Sequence, residues 1–136
     1  MKIAIIYKST FGATKKYALW LQDSLGGDVF TMGQISQDKL DIYDTLVIMS
    51  GTYAGRMPLV QYLRTNWKHL QAKNVIVIAV GCIPSEDPHS QASYQLIPPE
   101  ISAHITYFKL PGKFFQINSS KVLANNLAPI LEATRH

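Results

Sequence analysis

A chain of 136 residues is about one domain long, and at that length it buries roughly two thirds of its unfolded surface in a core. With 47% hydrophobic and 16% charged residues, and no apolar run near the ~18 residues of a membrane span, the composition excludes a disordered chain and predicts no transmembrane segment. Its 13 basic and 9 acidic residues, net charge +4, are scattered, without the charge blocks or interleaved aromatics of a nucleic-acid groove, so no nucleic acid is expected as a partner.

Met1-Lys2-Ile3 leads straight into a strand pattern without a signal-peptide layout, so the expectation is one cytoplasmic domain over residues 1–136. Short apolar runs recur at Ile3 to Tyr7, Asp28 to Met32, Leu46 to Met49 and Val75 to Val80, with helical patterns between them. The last two are continuous rather than alternating, as strands buried on both faces of a parallel sheet require. Strands alternating with helices predict a layered α/β fold.

The first helix is expected from Ala13 to Leu25, where Tyr17, Ala18, Leu21 and Leu25 share a face, and Gly26-Gly27 stops it. Asp38 to Tyr43 reads as a weak helical turn. A second full helix follows Pro58, a good first-turn residue, with Leu59, Val60, Leu63, Trp67 and Leu70 in one stripe. Trp20 and Trp67 lie on these amphipathic segments and read as core or rim packing. Gly81 to His89, rich in Pro, Ser and acids, is a loop; Gln91 to Leu96 reads as a short helix ended by Pro98-Pro99. Ile105 to Leu110 gives a fifth strand, stopped by Pro111-Gly112. The last helix begins near Ser119 or Ser120, turns Leu123, Leu127, Ile130 and Leu131 inward, and should kink or break at Pro129, which cannot donate to the carbonyl of Asn125.

Chemistry concentrates where the first strand hands over to the first helix, at Tyr7-Lys8-Ser9-Thr10-Phe11-Gly12-Ala13-Thr14. Such a turn gathers backbone N–H groups and the positive end of a helix around one point, which suits a phosphate. Lys15 and Lys16 fall in the first helical turn, where cations oppose the macrodipole by about 0.3–1 kcal/mol each; a bound dianion reverses that penalty. In an open parallel sheet, ligands bind beyond the carboxyl ends of the strands. Two more loops leave that edge, Ser50 to Pro58, with two glycines flanking Tyr53, and Gly81-Cys82-Ile83-Pro84, a small apolar wall. An anion on the first loop and a flat apolar ring between the other two would suit it.

Other constellations are weak. Cys82, the one cysteine, excludes an internal disulfide, fits a reducing compartment and reads as packing after a buried strand. Glu86, Asp87 and His89 fit no metal-ligand spacing, so no metal is expected. His69 and His104 read as structural. Neither a Walker loop nor a Gly-x-Gly-x-x-Gly fingerprint is present, and a receiver domain would want acids where Lys8 and Ser50 stand.

The run from Tyr7 through Ala18 resembles the flavodoxin phosphate loop, whose pattern is Ser/Thr-x-Thr-Gly-x-Thr. With Tyr43-Asp44, Gly51-Thr52-Tyr53-Ala54-Gly55 and Leu110-Pro111-Gly112 in the same order, residues 2 to about 113 are similar to the flavodoxin-domain branch that includes menaquinone-dependent protoporphyrinogen oxidase. The resemblance implies a three-layer sandwich around a five-stranded parallel sheet of order 2-1-3-4-5, with FMN as cofactor. It implies that Ser9, Gly12 and Thr14 contact the phosphate, with backbone donors from Thr10, Phe11 and Ala13. Thr52, Tyr53, Ala54, Gly55 and Arg56 would form one wall of the ring site, with Tyr53 as its aromatic, and Gly81, Cys82 and Ile83 the other. Phe11 and Ala13 stand where the family carries Thr and Asn, so phosphate affinity should lean on backbone donors and on Lys15 or Lys16. Arg56 near the ring should raise the potential, by tens of millivolts relative to Arg56→Ala. Function would then be FMN-dependent electron transfer to a redox partner protein or quinone. A quinone-linked oxidoreductase of the protoporphyrinogen oxidase type and a flavin-free interaction module are the alternatives.

Overall fold

The structure is a computed structural model, and it describes residues 2–8, 12–51, 58–81, 95–111 and 128–134. Within these, β1 (Ile3–Lys8) leads to α1 (Ala13–Leu25), β2 (Asp28–Thr31), α2 (Gln37–Leu40) and β3 (Thr45–Gly51). There follow α3 (Pro58–Leu70), β4 (Asn74–Gly81), α4 (Pro99–Ser102) and β5 (Ile105–Pro111), and a helix, α5, over residues 128–134.

All five strands pair in parallel in the order β2-β1-β3-β4-β5, the order that the family resemblance implies. The continuous apolar runs are central: β3 is buried along its whole length, and β4 along all but its two ends. Alternate residues of these strands feed two cores. Ile3, Ile5, Val47, Met49, Ile76 and Ile78 pack with Tyr17, Ala18 and Leu21 of α1 and Ile130 of α5. Ala4, Ile6, Leu46, Ile48, Val75 and Val77 pack with Leu40 of α2, Leu59, Leu63 and Leu70 of α3, and Ile101 of α4. Helices therefore cover both faces of the sheet, in three layers.

Trp20 and Trp67 are half-buried against these two cores, the packing role their helical stripes predict. Gly26 adopts φ 73° and its N–H donates to the carbonyl of Gln22 at 2.7 Å, ending α1 with a left-handed cap. Gly27 is required for another reason: a Cβ there would lie 2.6 Å from the carbonyl oxygen of Ile3, where the entry to β2 runs beside β1.

Several boundaries shift from those expected. The helical turn before β3 spans Gln37–Leu40 because the Ser36 side chain accepts from the amide of Lys39 and starts it earlier. Pro99 opens α4 instead of only closing a preceding helix, since a proline at the first helical position forfeits no intrahelical bond. Of the short helix expected at residues 91–96, 91–94 lie outside the described residues, as do 119–127, where the kink ahead of Pro129 would show; Pro129 itself sits in the first described turn of α5. Among the described residues, no helix is long and apolar enough to cross a membrane.

Candidate functional site

The chain leaves β1 for β2 on one side and crosses to β3 on the other, so the strand order reverses at β1. At the carboxyl edge Lys8 lies in register with Ser50, and Ser50 with Ala79. Adjacent strands stand about 4.8 Å apart, so the loops leaving β1, β3 and β4 begin within about 10 Å of one another. An open parallel sheet binds its ligand at such a reversal.

Gly12, the residue before α1, sits at φ 89°, ψ −15°, in the left-handed region, and the amide of Lys16 closes the first helical turn on its carbonyl at 3.0 Å. Having no side chain, Gly12 offers no capping oxygen to the amides of the first turn, and that turn contains no acid. Helix starts are ordinarily capped by a side-chain oxygen. A start with neither a side-chain cap nor an acid, and with a buried threonine, Thr14, in its first turn, is the donor arrangement a phosphate takes. Ala13 and Thr14 follow Gly12 at this start, and Gly81 closes β4. The other candidates, Ser9, Thr10, Phe11, Thr52, Tyr53, Ala54, Gly55, Arg56, Cys82 and Ile83, lie outside the described residues, as do Glu86, Asp87 and His89.

The two lysines of the first turn divide their tasks. The Lys16 ammonium lies 5.4 Å from the centroid of the Trp20 ring, a cation–π contact one turn along the helix. Lys15 is exposed and, among the described residues, its side chain has neither an ion pair nor a hydrogen bond. Lys15 is therefore the cation left to an anion at this turn.

Ser50, which sequence reasoning placed at the start of the second loop and noted as a missing acid, lies inside β3 and is a positioning residue. Fully buried at the end of β3, its Oγ accepts from the amide of Leu59 in the first turn of α3 at 3.3 Å, and donates to the carbonyl of Gly51 at 3.2 Å. One hydroxyl thus ties together the two ends of the loop that joins β3 to α3. Its signal in the sequence is a hydroxyl that directly follows the apolar run Leu46 to Met49.

Two tyrosines on the α2–α3 side have raised pKa values. Burial, then the hydrogen bond to Asp28 Oδ2 at 2.7 Å and that carboxylate's charge, push Tyr43 up to about 12. Burial alone pushes Tyr62 up to about 12, and its hydroxyl has no partner among the described residues. His69 Nδ1 stands 3.7 Å from Asp41 Oδ1, and the His104 ring is 6.3 Å from that of Trp67, structural settings for both. Among the described residues no three His, Cys, Asp or Glu side chains cluster as metal ligands.

A family model described as a flavodoxin domain matches residues 4–111. Among solved structures, oxidised flavodoxin 2 from Bacillus cereus superposes with a TM-score of 0.74 at 17% identity, covering 99% of this chain and 98% of that one. A flavodoxin from the domain Archaea matches with a TM-score of 0.65 at 18% identity over 100% of both chains. An NADPH-quinone reductase from P. pentosaceus matches with a TM-score of 0.65 at 11% identity, over 99% and 97%. These likenesses establish the fold; none of them singles out the protoporphyrinogen oxidase branch. No curated protein sequence matches the chain. The family match spans most of the sequence and agrees with the observed strand order: the chain belongs to the flavodoxin domain family.

Proposed function

We propose that the protein is an FMN-binding electron carrier. The observation that carries this reading is the left-handed start of α1 at Gly12, a residue with no capping side chain of its own, set at the reversal point of the sheet. FMN, when bound, supplies the redox chemistry, and the protein contributes binding, orientation and electrostatics. The amides of the first turn of α1, with Ser9, Thr10, Phe11 and Thr14, hold the phosphate, and Lys15 neutralises part of its charge. Ser50 fixes the ends of the loop carrying Thr52, Tyr53, Ala54, Gly55 and Arg56 against one side of the ring, while Gly81, Cys82 and Ile83 wall the other. Arg56 favours added negative charge on the ring and so raises the potential.

The test is the visible spectrum of the purified protein, with and without added FMN. Oxidised-flavin absorption, or quenching of FMN fluorescence on titration, is the expected result. A colourless protein that leaves FMN fluorescence unchanged would leave the flavin-free interaction module in its place. A second reading, a quinone-linked oxidoreductase of the protoporphyrinogen oxidase type, draws on the net charge of +4, since many flavodoxin carriers are acidic for docking to basic partners. Turnover of protoporphyrinogen with a quinone separates it from a carrier.

A further inference from the structure

The charges of the protein are sorted by the direction of its sheet. Asp23 lies in the last turn of α1, which feeds β2; Asp28 opens β2, Asp44 directly precedes β3, and Glu100 lies in α4, which feeds β5. Asp41 stands beside His69 in the last turn of α3, the helix that feeds β4, and Glu132 adjoins Ala133, whose carbonyl accepts from Asn74 at the head of β4. All of these acids are at the amino edge of the sheet. Asp38, in α2, is the remaining described acid and belongs to neither edge. Among the described residues the carboxyl edge therefore carries no acid.

That edge is basic instead. Lys8 ends β1, Lys15 and Lys16 fall in the first turn of α1, and Lys109 lies near the end of β5. The register Lys8, Ser50, Ala79, Lys109 forms one rung across β1, β3, β4 and β5, so two lysines stand three strand spacings, about 14 Å, apart along it. The loops after β3 and β4, assigned above to the flavin ring, leave the sheet between them. By sequence, residues 9–11, 52–57, 82–94 and 112–127, which follow β1, β3, β4 and β5, add Arg56, Lys113 and Lys121 against Glu86 and Asp87, and so keep the sign. Charges of one sign gathered at one end of a domain steer and orient a partner of the other sign. Leu19, Ile42 and Leu96, the exposed large hydrophobics among the described residues, lie in the second turn of α1, after α2 and before α4, off this edge. A lipid surface takes up apolar side chains as well as cations, so the edge suits a protein better.

We propose that the carboxyl edge docks an acidic redox protein, whose carboxylates face Lys8, Lys15, Lys16 and Lys109 and whose electron-exchanging centre is thereby held over the loops after β3 and β4. The redox part rests on the flavin reading above, whereas the docking surface does not.

The probes are an acidic plant-type iron–sulfur ferredoxin and the basic cytochrome c. Stopped-flow mixing follows one electron passing from reduced ferredoxin to the FMN-loaded protein, and one passing from the FMN-reduced protein to oxidised cytochrome c. From about 10 mM to about 150 mM salt the Debye length shrinks from about 30 Å to about 8 Å. Over that range the ferredoxin rate should fall about tenfold or more, and the cytochrome c rate should rise or stay level. At the lower salt, Lys8→Glu and Lys109→Glu should each slow the ferredoxin reaction about threefold or more, whereas Lys68→Glu, an equal change of charge at the amino edge, should alter it by less than about twofold. A ferredoxin rate indifferent to salt or rising with it overturns the proposal, as does Lys68→Glu slowing it as much as Lys8→Glu. Calorimetry of ferredoxin against the protein without added FMN keeps the two readings apart: a protein that takes up no FMN yet binds ferredoxin, with loss of binding in Lys8→Glu, overturns the flavin reading and supports the surface. Cosedimentation with phosphatidylserine vesicles that is lost in Lys8→Glu, with no binding of ferredoxin, makes this a lipid surface and overturns the proposal.

Discussion

Replacing Gly12 tests the phosphate turn through its backbone. At φ 89°, ψ −15° the residue lies where a Cβ crowds the backbone, a cost of about 1–2 kcal/mol for an ordinary L-residue. Removing a glycine from the unfolded chain returns about 0.4–1 kcal/mol. No steric term adds to this, because a Cβ at Gly12 would meet nothing within 4 Å. Gly12→Ala should therefore destabilise the protein by about 1 kcal/mol, seen in urea as a lower midpoint at unchanged slope. Asparagine tolerates the left-handed region and a β-branched residue does not, so the order of stability is Gly12 above Gly12→Asn, then Gly12→Ala, then Gly12→Val. FMN affinity, read by fluorescence quenching, should fall in the same order as the first-turn amides tilt away from the phosphate. An Ala variant as stable as the parent, or Asn and Val variants that cannot be told apart, would refute the backbone argument.

Gly27→Ala places a methyl 2.6 Å from the Ile3 carbonyl oxygen and should cost about 2 kcal/mol, whereas Gly33→Ala, in open space, should stay within about 0.5 kcal/mol. Thermal denaturation of the pair checks this. Ser50→Ala strips the buried acceptor from the Leu59 amide, at about 1–3 kcal/mol, and hydrogen exchange should show that amide losing protection more than the middle of α3 does. Tyr43→Phe and Tyr62→Phe should move stability in opposite directions, each by about 1 kcal/mol: the first loses the bond to Asp28, and the second discards a buried hydroxyl without a partner among the described residues. Both phenols have folded pKa values of about 12 against 10.0 for the free group, so between these values the unfolded chain loses protons that the native chain keeps. Stability should thus fall as pH rises from about 10 towards 12, and less steeply in Tyr43→Phe.

The order of elements was legible because the two strongest signals, continuous apolar strands and helical stripes with glycine or proline punctuation, are local. Ala13 to Leu25 and Pro58 to Leu70 are the observed bounds of α1 and α3, since left-handed Gly26 and first-turn Pro58 set ends that tertiary contacts leave in place. Ser36 and Pro99 were harder to read. Each starts a helix of four residues, too short to show a periodic stripe. In the site, the unusual start of α1 could be read from Gly12, but the choice between Lys15 and Lys16 could not, because Trp20 lies one turn further on and draws Lys16 to its ring. Ser50 was hidden for a different reason: its partner, the Leu59 amide, is nine positions away and meets it only once α3 has folded back beside β3.

The central claim, that the start of α1 grips the phosphate of a flavin nucleotide, is tested most directly by comparing FMN with riboflavin, which shares the ring and lacks the phosphate. Two charge-assisted hydrogen bonds at about 1.5 kcal/mol each predict FMN affinity about a hundredfold above that for riboflavin, measured by calorimetry at fixed salt. Equal affinities would contradict it.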